Sequence, residues 1–96
     1  MPREGDGVLS KALTIRNQRG LHARAAAKFV KTVAGFDAEV EVSKDGQSVT
    51  GTSIMGLMML AAAPGCQIEV SVSGAEAAAA LTAIETLVEA GFHETG

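Results

Sequence analysis

Apolar and polar positions repeat along this chain with two periods, and the period switches wherever glycine, proline or aspartate intervenes. Leu9, Leu13 and Ile15 fall on one face of a first strand, with Lys11 the charged member of that face. Asn17 to Gly20 is loop. The spacing then becomes helical: Ala26, Phe29, Val30 and Val33 form an apolar stripe that Lys28, Lys31 and Thr32 avoid, and Gly35 is a natural stop. Period two returns where Ala38, Val40 and Val42 alternate with Glu39, Glu41 and Ser43. Asp45-Gly46 is a two-residue hairpin signal, with Gln47 to Thr50 as the returning strand. A short helix fits Ile54 to Leu60, Pro64-Gly65 breaks the chain, and Ile68, Val70 and Val72 alternate with Glu69 and Ser71 in a last strand. Ser73-Gly74-Ala75-Glu76 has capping-box spacing for a final helix, which carries Ala77, Leu81, Ile84 and Val88 on one face and ends near Gly91.

The resulting order is β-α-β-β-α-β-α. Strands with one polar and one apolar face predict an α+β fold, an open-faced β-sandwich. Its four-stranded antiparallel sheet is covered on one face by three helices. A chain of 96 residues has room for one core. That domain is expected over residues 8–93, after a charged, glycine-rich lead at 1–7 expected to be disordered. With only three aromatic residues, all Phe, the core must be built from Val, Ile, Leu, Met and Ala.

A net charge of -3 argues against a nucleic-acid partner. The single cysteine, Cys66, excludes an internal disulfide, fits a reducing compartment and is expected as a small buried residue. The N-terminus lacks the apolar core of a signal peptide, and the apolar run from Ile54 to Ala63 is too short to span a bilayer. A cytoplasmic, monomeric protein with no membrane contact is expected.

Candidate chemistry concentrates in the run from Arg19 to Val30. Gly20 frees the backbone to turn, His22 follows, Arg24 lies two beyond, and a helix begins. A helix start has N–H groups without intrahelical partners and partial positive charge, so phosphate is welcome there. A neutral imidazole near that point can also attack a phosphoryl group and hold it covalently. The plainer alternative is a histidine that only caps or packs.

Two motifs resemble a known family. Gly20-Leu21-His22-Ala23-Arg24, opening a helix after a first strand, is similar to the active-site signature of HPr proteins, the small phosphocarriers of the bacterial phosphoenolpyruvate phosphotransferase system. Thr52-Ser53-Ile54-Met55-Gly56-Leu57-Met58 resembles the family's serine-plus-apolar short helix, and the element order agrees from about Leu9 to Phe92. The resemblance implies that His22 takes a phosphoryl group on Nδ1 from Enzyme I and passes it to an enzyme IIA-type acceptor, in sugar uptake or nitrogen-related regulation. Backbone N–H groups of Ala23 and Arg24 and the Arg24 side chain would stabilise the phosphoryl group. No cofactor or metal is implied. His22 is expected to be solvent-accessible, because a carrier must not hold its cargo too tightly. Most family members have proline after the arginine, where this chain has Ala25. That residue and the run Met58-Met59-Leu60-Ala61-Ala62 look more like the nitrogen-related branch.

Ser53 carries two readings, a helix cap and the family's regulatory site for an HPr kinase/phosphorylase. The segment Ile54 to Leu60 has hardly a polar position, so some of it must face water or a partner. Ile54, Leu57 and Met58 are expected at the partner-binding surface with Lys31 and Arg24 on its rim, and at least one of Met55, Met59 and Leu60 in the core. The competing hypothesis is a non-catalytic regulatory or ligand-binding domain of ferredoxin-like topology. An RNA-binding sheet would need stacking aromatics, and a metal chaperone would need paired cysteines. His93 fits a solvated tail, and Glu39 and Glu41 fit the solvated face of the sheet.

Overall fold

The computed structural model describes residues 8–94; the lead at 1–7 lies outside the described residues. The elements are β1 (Leu9–Thr14), α1 (Ala23–Ala34), β2 (Glu39–Lys44), β3 (Gln47–Thr50), α2 (Ile54–Met59), β4 (Gln67–Ser73) and α3 (Ala77–Glu89), followed by a 3-10 turn at Gly91–His93. The sheet order is β1-β4-β2-β3, and every neighbouring pair is antiparallel. This is the open-faced sandwich that the hydrophobic pattern predicts. A ferredoxin-like sheet places β1 beside β3, in parallel, at its centre. Here β1 is an edge strand paired with β4, which removes that topology.

Register explains the two faces. Val40 pairs with Val72 and Val42 with Val70, while Leu13 pairs with Ile68, so these buried side chains share one side of the sheet. Against them pack Ala25, Ala26, Phe29 and Val33 of α1, Leu57 of α2, and Ile84, Leu87 and Val88 of α3. Ser10, Ser71, Glu41 and Thr50 form a cross-strand row on the other side, in solvent. Lys11 belongs by register to the helix-covered side, and its ammonium pairs with Glu85 of α3. A charge on the inward side of an edge strand also discourages edge-to-edge pairing. Leu9, at the start of that edge strand, stays 41% exposed.

Local signals mostly hold. The β2–β3 hairpin turns through Asp45 (φ 52) and Gly46 (φ 83), both left-handed, as a type I′ turn requires. Ser53 caps α2 by accepting the Gly56 N–H at 2.9 Å. The expected capping box of α3 does not form: Ser73 is the last residue of β4, and Glu76 occupies the N-cap position without a side-chain cap bond. Instead Glu76 is tied to the loop after α1. Its Oε1 accepts the Asp37 N–H at 2.6 Å, and its own N–H donates to the Asp37 carbonyl. Cys66, just before β4, is half-buried.

One constraint places the loop that precedes α1. Gly20 has φ +65, and a Cβ there would lie 2.2 Å from the carbonyl oxygen of Ala62. The next residue, Leu21, is buried and donates its N–H to that same oxygen at 3.0 Å. Gly20→Ala is therefore expected to destabilise the fold by more than about 2 kcal/mol in urea unfolding, combining left-handed strain with a backbone clash. An unchanged midpoint would show that the loop does not sit against Ala62. Ser53→Ala is expected to remove only ~1 kcal/mol, the usual contribution of an N-cap, in the same measurement.

Candidate functional site

His22 is the N-cap of α1, with extended backbone (φ -78, ψ 178) and no side-chain cap bond. The first intrahelical bond runs from the Ala26 N–H to the His22 carbonyl at 2.8 Å. The N–H groups of Ala23, Arg24 and Ala25 precede it and have no acceptor within the helix. Ala23 and Arg24 are exposed, and the first turn forms with Ala25 fully buried against the core. The helix start next to His22 therefore offers backbone donors and partial positive charge to an anion, with the exposed Arg24 in the same first turn.

The imidazole is less open than the sequence suggests. Its side chain is 22% exposed, because its Nε2 edge is covered by the Glu94 carboxylate. Glu94 lies 72 residues away in sequence, and the C-terminal segment carries it back to the site. Gly91 (φ 64), Phe92 (φ 57) and His93 (φ 60) are all left-handed, which reverses the chain after α3. Phe92 is fully buried and anchors the reversal, and Lys28 of α1 donates to its carbonyl at 2.7 Å. His93 itself stays exposed, as expected.

Asn17 is the second residue the pattern does not reveal. It opens a turn in which the Gly20 N–H donates to its carbonyl at 3.2 Å. Its buried side chain donates from Nδ2 to the Gly20 carbonyl at 2.8 Å and to Glu94 Oε1 at 3.1 Å. The hydrogen bond with His22 holds the Glu94 carboxyl below its ordinary value. Burial opposes this, and the bond from Asn17 and the nearby charges of His22 and Lys28 reinforce it. Glu94 is thus anionic at neutral pH.

Beside this centre, α2 packs against α1. Ile54 is 41% and Met58 40% exposed, so both side chains are open to solvent. Leu57 is not: it is fully buried, so its expected place on the partner surface is corrected to the core. In a six-residue helix lying on a sheet, one position must face inward, and Leu57 is that position. Met55 and Met59 are the most exposed of the group, at 70% and 65%, and Leu60 is buried. Lys31 is exposed and lies seven positions after Arg24, on the same side of α1. Among the described residues, no group of three or more His, Cys, Asp or Glu side chains is placed to hold a metal ion. No helix of the described residues is long and apolar enough to cross a membrane.

Known proteins are similar to this chain in sequence and in backbone. A family model described as the PTS HPr component phosphorylation site matches residues 9–90. Phosphocarrier protein HPr of Neisseria meningitidis is 47% identical over 87 residues, covering 91% of this chain and 98% of that protein. Phosphocarrier protein NPr of Escherichia coli is 39% identical over 88 residues, with the same coverages. The crystal structure of HPr-C-His from Thermoanaerobacter tengcongensis matches with a TM-score of 0.87 and 36% identity, over 92% of this chain and 99% of that one. Sequence and backbone agree over nearly the full described length, and the chain belongs to the HPr family of phosphocarrier proteins of the phosphotransferase system.

Proposed function

We propose that His22 is the residue that carries the phosphoryl group, receiving it on Nδ1 from Enzyme I and passing it to an enzyme IIA-type acceptor. The observation that carries this reading is the position of His22 as the N-cap of α1, beside three N–H groups with no intrahelical acceptor and the exposed Arg24. In the transfer, the Nδ1 lone pair forms the N–P bond while the bond between phosphorus and the donor breaks, and the donor keeps that electron pair. The phosphoryl oxygens are met by the N–H groups of Ala23 and Arg24 and by the Arg24 guanidinium. A half-exposed site with a few such donors stabilises the cargo without trapping it.

Docking is assigned to the apolar surface of α2. Ile54 and Met58, together with Met55 and Met59, present flexible side chains that can adapt to successive partners, with Arg24 and Lys31 at the rim. Ser53 is the proposed regulatory position, for an HPr kinase/phosphorylase. Its half-buried hydroxyl starts α2, so a phosphate there would place negative charge at the apolar docking surface. The proposed setting is the cytoplasm, in sugar uptake or nitrogen-related regulation.

The test is transfer from phosphoenolpyruvate through purified Enzyme I, of the sugar and nitrogen types in turn, read by intact-protein mass spectrometry. One acid-labile phosphoryl group is expected, present on the natural chain and absent from His22→Ala; an adduct of equal yield on that variant would overturn the assignment. Ser53→Asp keeps a capping side chain and adds charge. It is expected to raise the KM for Enzyme I by about tenfold, equivalent to ~1.4 kcal/mol, with the fold intact. Unchanged kinetics would remove α2 from the docking surface.

A further inference from the structure

Glu94 and Asn17 form a chain of hydrogen bonds that ends on the ring of His22. Asn17 is the buried polar residue of this region, and both hydrogens of its Nδ2 are used, on the Gly20 carbonyl and on Glu94 Oε1. The Gly20 carbonyl also accepts the His22 N–H at 2.9 Å, so it is held in place. A rotated Asn17 amide would set its oxygen against two acceptors, so Nδ2 must face Glu94. The second carboxylate oxygen of Glu94 faces His22 Nε2. An ionised carboxylate only accepts, so in the neutral ring Nε2 must be the nitrogen that bears hydrogen.

Resting on the phosphocarrier reading, we infer that Glu94, oriented by Asn17, is a positioning residue that holds His22 in its Nε2–H tautomer and leaves Nδ1 as the nucleophile. No proton need move before attack. When Nδ1 bonds to phosphorus the ring becomes cationic, the proton stays on Nε2, and the carboxylate beside it stabilises that charge. When the phosphoryl group departs to an acceptor, Nδ1 recovers the electron pair and the starting tautomer is restored.

Glu94→Gln makes a sharp test, because Asn17 dictates how the new amide must sit. Its oxygen meets Asn17 Nδ2, which turns its NH2 toward His22. There it donates to Nε2 and favours the Nδ1–H tautomer, in which the nucleophile is blocked. The measurement is 15N NMR of histidine-labelled protein about two pH units above the ordinary imidazole value, paired with phosphorylation kinetics. The natural chain is expected to show Nε2–H alone, Glu94→Ala a mixture, and Glu94→Gln a shift to Nδ1–H. The phosphorylation rate should fall about 10- to 100-fold in Glu94→Gln and less in Glu94→Ala, with the KM for Enzyme I unchanged. A natural tautomer in Glu94→Gln, or a shifted tautomer with an undiminished rate, would overturn the inference while leaving His22 as carrier. Absence of any phosphoryl adduct on the natural chain would instead remove the carrier reading, and the NMR spectra would still decide whether Glu94 sets the tautomer.

Discussion

The carbonyl oxygen of Ala62 receives the Leu21 N–H and leaves no space for a side chain at Gly20. That contact joins the loop before α1 to the segment after α2, two stretches brought together only by the fold. Because Leu21 is buried next to it, the position of His22 at the head of α1 follows directly. The same turn orients Asn17, whose side chain bonds back to the Gly20 carbonyl. A left-handed glycine thus controls both the histidine and the group that reaches it through Glu94.

The site also shows how a carrier differs from an enzyme with a deep pocket. In the proposed reading, backbone donors at one end of α1 and the exposed Arg24 would stabilise the phosphoryl group only to a limited extent. The proposed docking would use the exposed aliphatic and thioether side chains on α2, which would gain affinity only when a partner covers them. Replacement of the family's usual proline by Ala25 fits this arrangement. The N–H at that position precedes the first intrahelical bond, so the helix loses nothing by either residue, and alanine packs fully inside.

Much of this was legible in the sequence because it is local. Period two and period 3.6 gave the strands and helices, Asp45-Gly46 gave the hairpin, and the glycine-histidine-arginine run marked the start of α1 and the proposed nucleophile. What escaped depends on distance or on competition. Glu94 carries no motif, and its approach to His22 rests on three consecutive left-handed residues and the burial of Phe92. Glu76 matched a capping box, yet a tertiary contact with Asp37 claimed its carboxylate. Leu57 stood among residues of equal hydropathy, and only packing on the sheet distinguished it from Ile54 and Met58.

Strand β4 is central, with β1 on one side and β2 on the other, although it is the last strand in the chain. During synthesis β2 and β3 can meet as a hairpin as soon as they emerge, whereas β1 must wait, unpaired, until residues 67–73 leave the ribosome. The core helices gain no complete four-stranded sheet to cover before then, and Glu94 arrives later still. A chain still emerging therefore contains the histidine before its surroundings, and the contacts of His22 with Glu94 form only after residue 94 has left the ribosome.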